Sequence, residues 1–542
     1  MFLYILSTMD TKETTQSVHW ADITADKIIR ERKQFLNDKK TKYVCASGIT
    51  PSGTVHIGNF REIISVELVV RALRQKGADV RFIYSWDDYD VFRKVPKNMP
   101  KQDELANYLR FPITMVPDPW GKESSYARAH EVELESLLPL VGVYPEYLYQ
   151  ASNYQASRYA EGMRKALENK AVIKAILDEF RTAPLPDDWM PISMFCGKCH
   201  KDTTTVLSWD GEWGVTYRCD SCGCEETVDL RTTSIAKLPW RIDWPMRWGV
   251  EGVDFEPAGK DHHSEGGSFS TAKGIARKVY NHEPPVTFQY DFLSIKGRGG
   301  KISSSSGEVI SLRDVLEIYQ PEIVRYMFAS TRPNTEFAIS FDLDVLKIYE
   351  DYDKCERIYF GVEKVNDKKA EKEKRIYELS QVGDVPAVMP YQIPLRHLCN
   401  LLQIHDGNID EVLKLCDIKD ESQVPRLKNR AECAWRWITT FAPEDFRFAL
   451  KKPGEDMYFP QDDREIAVIQ QSVPVVENLD QYDEKSLAEA LYAVAEKAGM
   501  DSKDMFKVFY NVLIGKEKGP RLAGFIKTCG KEKVLPLLKW YK

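Results

Sequence analysis

At 542 residues the chain is too long for one compact domain, and about 150 residues per domain predicts three or four. Hydrophobic residues at 43% and charged residues at 29% exclude a disordered or fibrous class. A formal net charge of -7 excludes a polycation that coats nucleic acid, yet leaves room for a local basic surface.

The opening "MFLYILSTMD" has a short apolar run with no basic residue before it, too short for a signal-peptide core. No stretch approaches the roughly 18 to 20 apolar residues of a membrane helix, so no membrane partner is expected. Residues 1–20 read as an extension in which Met9 is an alternative start, and helical patterning begins at "HWADITADKIIRER". "KYVCASGI" (42–49) reads as a buried strand. "NFREIISVELVVRALRQKG" follows as a helix with Phe60, Ile63, Ile64, Leu68 and Ala72 on one face, ended by Gly77. "ADVRFIYSWDDYD" supplies a second strand. Strand, glycine-rich loop, helix and strand make a βαβ unit over 21–98, which implies a parallel sheet. Residues 99–235 break this alternation and read as an insertion, with βα patterning resuming over 236–300. "VEKVNDKKAEKEKRIYELSQ", within 301–384, reads as a solvated helix or linker. Nearly every segment of 385–542 is helical.

The loop between first strand and first helix sits where a parallel sheet receives phosphate, because helix amides and dipole converge there. Its "HIGN" places His56 before the helix, Gly58 where backbone approaches a ligand, and Asn59 as a donor in the first turn. It matches neither the dinucleotide fingerprint nor the P-loop. Far along the chain, "GRGG" followed by "KISSSSG" offers Lys301 and a row of hydroxyls on a glycine hinge, suited to clamping a polyphosphate.

This pair resembles the two signature motifs of class I aminoacyl-tRNA synthetases, with Asn59 in place of the last histidine of the first and Ser304 where many carry a lysine in the second. Together with "SGITPSGTVHIGNFREI", "YSWDDYDVFRKVP", "DWPMRW", "GKDHHSEGGS" and "PRLKNRAECAWRW", it is similar to the class I lysyl-tRNA synthetases of archaeal and bacterial type. The resemblance implies an α/β fold: a Rossmann-like parallel-sheet catalytic core in two halves (21–98 and 236–300) around a connective insertion. A signature loop and helical connecting domain (301–384) and an all-α anticodon-binding domain (385–542) would follow. It implies activation of lysine by ATP with Mg²⁺ as counter-ion, then transfer to the terminal adenosine of tRNA(Lys), at the 2′-hydroxyl, by a cytoplasmic monomer. His56, Gly58 and Asn59, with Lys301, Ser303 and Ser304, are assigned to the phosphates. His56, Asn59 and Lys301 stabilise the charge that builds during transfer. Gly48, Thr50, Trp244, His262 or His263, and Tyr290 are implied for lysine, and Asp87 and Asp88 are the candidates for its ammonium. Candidate RNA surfaces in the helical third are "PRLKNR" and "IGKEKGPRLAG".

Eleven cysteines are scattered except for a cluster at 196–224, which indicates a reducing cytoplasm. Cys196, Cys199, Cys219 and Cys222 form two CxxC knuckles with the spacing of a structural zinc site, and Cys224 and His200 are alternative ligands. In "DPWGKES", Lys122 and Glu123 stand where some members of the family carry a cysteine and a histidine, which speaks against a second zinc beside Asp118 and His130. The rivals are another class I synthetase, glutamyl above all, and a zinc-dependent RNA-binding protein with a vestigial core.

Overall fold

The computed structural model describes residues 17–35, 39–296 and 309–541; Lys301, Ser303 and Ser304 fall outside them. After α1 (Trp20–Phe35), the chain runs β1 (Lys42–Ile49), α2 (Ile57–Gln75) and β2 (Asp79–Trp86). β1 and β2 pair in parallel from Lys42 opposite Asp79 to Ile49 opposite Trp86, as the βαβ reading requires. The helix α3 (Tyr126–Leu137) leads to β3 (Glu146–Tyr149), which adds to β2 in parallel. β3 lies inside the 99–235 stretch expected to be an insertion, so the sheet takes a strand from it. Four residues, the first exposed and the other three half-buried, are too few for periodicity to reveal.

On the other side of β1, the Ala46 N–H donates to the Phe255 carbonyl (2.8 Å) and the Glu256 N–H to the Val286 carbonyl (3.1 Å). The order across the sheet is therefore β3, β2, β1, residues 254–259, residues 286–290, all parallel. The chain leaves β1 toward one edge first and returns to its other side later. That reversal places a crevice at the carboxyl ends of β1 and residues 254–259, where doubly wound sheets bind ligands.

The insertion carries an antiparallel ribbon, β4 (Thr204–Trp209), β5 (Gly214–Cys219) and β6 (Glu225–Asp229), and the helix α4 (Trp240–Glu251) then returns the chain to the sheet. The last sheet segments contain β7 (Ala258–Gly259) and β8 (Gln289–Tyr290). A stem follows, in which β9 (Leu293–Ile295) pairs in parallel with β10 (Phe337–Ile339), with helices α5 (Pro321–Ser330), α6 (Asp344–Tyr359) and α7 (Asp367–Ser380) around it. α7 is the charge-rich segment; its buried residues are confined to Ile376, Tyr377, Leu379 and Ser380.

Beyond residue 385 the chain is helical, yet it packs as two bodies. α8 (Leu395–Ile404) and α9 (Val424–Thr440) bury Leu398, Leu402, Ala431 and Trp437 in the same apolar core as the sheet. A second core from Met457 to Tyr541 holds α10 (Asp463–Glu477), α11 (Glu484–Lys497), α12 (Ser502–Ile514), α13 (Leu522–Cys529) and α14 (Lys531–Leu538). Ile404 at the end of α8 belongs to that second core. No helix among the described residues is long and apolar enough to cross a membrane.

The stem is joined to the sheet layer by one buried ion pair. Arg325 on α5 is fully buried. It donates to Glu67 of α2 (2.6 Å), to the Val141 carbonyl (2.8 Å) and to the Leu379 carbonyl (2.9 Å). Glu67 also pairs with Arg71 (3.1 Å), so it is removal of Glu67 that strands a charge, the Arg325 guanidinium, in an apolar setting. Glu67→Ala is therefore expected to cost about 3 to 5 kcal/mol, read as a lower urea midpoint for the transition of the catalytic body.

Candidate active site

The turn into α2 is built by its own first residues. His56 is the N-cap: its Nδ1 accepts the Asn59 N–H (3.2 Å), and Asn59 Oδ1 accepts the His56 N–H (3.3 Å), a reciprocal capping box. Gly58 is required here for the imidazole rather than for a ligand, because a Cβ at 58 would lie 2.9 Å from His56 Nδ1. The first turn of α2 carries no acidic side chain, so its amides and dipole stay available to an anion. The Ile57 N–H donates to the Ile310 carbonyl (2.8 Å), and His56 bridges to Ser311. The chain that follows the serine-rich segment is thus fastened to the HIGN turn.

In front of this turn, at the carboxyl ends of β1 and β2, opens a cavity of about 850 Å³. Gly48, Thr50, Asn59, Asp87, His262 and Tyr290 line it; His56, Gly58, Asp88 and Trp244 do not. Gly48 is forced by close strand packing, since a Cβ there would meet the Ser85 carbonyl oxygen at 2.6 Å. Thr50 donates to Asp90 (3.3 Å), itself paired with Lys237 (3.1 Å). His262 faces the cavity, whereas His263 packs its ring on Phe269.

The two aspartates expected to meet an ammonium have other partners. Asp88 is buried, and its Oδ1 accepts the Ala151 N–H (2.7 Å) at the start of the helix Gln150–Gln155; burial pushes its pKa to about 7. It is a structural acceptor, not a cavity residue. Asp87 reaches the cavity but is paired with Arg247 of α4 (2.7 Å), whose Nε also lies 3.0 Å from Asp243.

The acid that sequence reasoning missed is Glu62. It sits one turn after Asn59, on the same face of α2, and lines the cavity. Oε1 accepts the Ser47 hydroxyl (2.8 Å) and the Gly48 N–H (3.3 Å), and Oε2 accepts the Tyr290 hydroxyl. Burial raises its pKa, against these three donors. Its spacing of three from Asn59 is the signal that could have found it.

Trp240, Trp244 and Trp248 repeat every four residues along one face of α4. The first two stack at 5.0 Å and 15°. Trp244 lines a smaller adjoining chamber, and it and Trp248 donate their indole N–H groups to Glu256 (3.0 and 2.6 Å). Burial lifts Glu256 to about 7 even so.

The ribbon contributes the far wall of the cavity through Asp202, Thr204, Thr205 and Val206, and Asp202 is tied to Arg110 (2.7 Å). At its base Cys196, Cys199, Cys219 and Cys222 place all four sulfurs within 4.8 Å of one another. Cys196–Cys222 is 3.6 Å and Cys199–Cys219 is 3.5 Å. A metal–sulfur bond of about 2.3 Å gives a tetrahedron with edges of about 3.8 Å, so the four thiols fit a closed tetrahedral metal. Cys224 and His200 are outside the group, and the His200 ring lies against Phe111. The Asp118 carboxylate accepts the backbone N–H groups of Trp120, Lys122 and Glu123, and His130 is buried between the Trp120 and Tyr126 rings.

Residues 18–383 match the family described as tRNA synthetases class I (K), and residues 401–539 match the anticodon binding domain. The chain is 54% identical to a lysine–tRNA ligase of Treponema pallidum, over 97% of this chain and 99% of that protein. It is 53% identical to one of Borreliella burgdorferi (95% and 98%) and 42% identical to one of Thermococcus kodakarensis (96% and 99%).

Glu256 makes stability depend on pH. A carboxyl raised from 4.5 to about 7 holds a proton in the folded state that the unfolded chain has already released. The stability this group contributes is therefore fully present below about 4.5 and is lost as pH rises toward 7. Glu256→Gln should flatten that part of the curve, measured by urea unfolding followed through the fluorescence of the tryptophans that donate to it.

Proposed function

Because the chain belongs to the tRNA synthetases class I (K) family, we propose that the cavity at the end of β1 is where lysine is activated for transfer to tRNA. The protein is an aminoacyl-tRNA synthetase and joins lysine to tRNA(Lys). Synthetases draw on ATP and Mg²⁺ for this reaction.

In the proposed first step a lysine carboxylate oxygen attacks the α-phosphorus of ATP. A new P–O bond forms, the bond to the β-phosphate breaks, and pyrophosphate leaves. No protein nucleophile is needed; fixed donors are needed where charge grows. The unblocked first turn of α2 with Asn59 faces the phosphates, and His56 holds that turn in shape. Lys301, Ser303 and Ser304 would close on the β and γ phosphates. The anchoring of residues 310 and 311 to Ile57 and His56 supports this convergence. In the second step the 2′-hydroxyl of the terminal adenosine attacks the aminoacyl carbonyl, and AMP departs.

The observation that carries the lysine reading is Glu62. It is a half-buried carboxylate at the cavity wall whose hydrogen-bond partners are all donors and which has no cation partner among the described residues, and the Tyr290 hydroxyl beside it can accept from an ammonium. Gly48 and Thr50 would meet the amino-acid end, and the aromatic layer of Trp240 and Trp244 with His262 would flank the four-carbon stem. Among amino acids tested by pyrophosphate exchange, lysine alone should react. Glu62→Gln should raise the KM for lysine by roughly a hundredfold, as breaking a buried pair implies, with exchange at saturation less affected. An unchanged KM would move the ammonium to Asp87.

The four thiols would hold a structural zinc with no open coordination position, and none of the eleven cysteines is in a disulfide, which supports a reducing cytoplasm as the setting. One equivalent of zinc is expected by atomic absorption. Its removal by chelation should lower the melting temperature and weaken lysine activation together, because the ribbon walls the cavity.

A further inference from the structure

The distal helical body contains a cavity of about 740 Å³, far from the catalytic crevice in sequence and with no role in the chemistry above. It lies between α11, α12 and the start of α13. Tyr492, Phe506 and Tyr510 form its aromatic side, and Lys485 and Arg521 stand at its edge. The Phe506 and Tyr510 rings are nearly parallel (25°), while Tyr492 meets Phe506 edge-on at 6.0 Å.

Three features give this cavity the character of a prepared site. Tyr492 is 43% exposed, an unusual cost for a ring with neighbours at hand. The opposite wall is "GKEKGPR", held in place by backbone: Tyr510 donates its hydroxyl to the Pro520 carbonyl. Gly519 has to be glycine, since a Cβ there would lie 2.7 Å from the Tyr510 ring. Lastly, Arg521 is exposed and makes no ion pair among the described residues. A rigid aromatic platform edged by an uncommitted guanidinium is the arrangement by which proteins hold single-stranded nucleic acid.

We propose that this cavity receives one unstacked base of the tRNA anticodon loop, its face on Tyr492 and its phosphate against Arg521 and Lys485. The inference rests on the reading of this chain as a tRNA ligase and names the part of the distal body that meets the RNA. A peptide segment fits less well, because the rim cations favour a polyanion. Glu484, also at the rim, accepts hydrogen bonds and would read a base N–H rather than contact phosphate.

The test uses the full chain and a synthetic anticodon stem–loop of tRNA(Lys), with a series of loops that each carry an abasic sugar at one anticodon position. Loss of one stacking partner weakens binding by roughly tenfold or more, so Tyr492→Ala should lose that much affinity while Tyr492→Phe stays near wild type. One abasic position should weaken the wild-type protein equally and cost nothing further in Tyr492→Ala. Arg521→Ala, on the surface and outside any core, should reduce affinity and flatten its salt dependence without touching the fold. Lysine-dependent pyrophosphate exchange should be unchanged in all three variants; its absence in the wild-type chain would instead sink the catalytic reading. Undiminished stem–loop binding by Tyr492→Ala and Arg521→Ala, or abasic losses that add to the Tyr492→Ala loss, would overturn the proposal, and a peptide occupant would give that result.

Discussion

One carboxylate ties the catalytic crevice together. Glu62 stands on α2 and gathers hydrogen bonds from the end of β1, through Ser47 and Gly48, and from β8, through Tyr290. These two strands flank residues 254–259 on either side, so the helix is fixed against both lips of the place where the sheet reverses direction. The geometry leaves the strand ends no freedom to spread, and the glycine at 48 is part of the same condition, because β1 approaches Ser85 too closely for any side chain. A half-buried acid held by donors alone favours a positive charge beside it. In this chain the group that fastens the helix to both strands is also the acid that lines the cavity.

Much of this was legible in the chain. The HIGN turn was readable because a glycine-rich loop between an apolar strand and an amphipathic helix has few other uses, whereas Trp244 came only from the family resemblance and its neighbours Trp240 and Trp248 were not read. The two CxxC knuckles were readable because ligand spacing is itself geometric. Other readings failed for identifiable reasons. Asp87 and Asp88 lie just past the end of β2, where strand alternation no longer fixes a side chain's direction, and only Asp87 lines the cavity. Glu62 was hidden inside a helix otherwise read for its apolar face. Gly58 looked like room for a ligand, yet the room is taken by the imidazole two residues earlier. β3 is too short to show a period, and helical periodicity announces a buried face without naming what covers it, so the division of the helical third stayed invisible.

The ribbon is more than an appendage. Its strand β4 and Asp202 border the catalytic cavity, and Arg110 holds Asp202 to the body. The cysteine cluster at its base thereby bears on the position of a wall that the parallel sheet alone does not supply.

α8 has a consequence for how the molecule can be dissected. Most of its apolar side chains cover the body that holds the sheet, while its last residue, Ile404, is buried with the distal helices. A cut at 384, where the family match to the synthetase core ends, would strip cladding from the larger body and leave a greasy scar on it. The last residue buried in the larger core is Ala442 and, Ile404 apart, the first in the distal core is Met457, so the unit that holds the sheet is longer than its own signature.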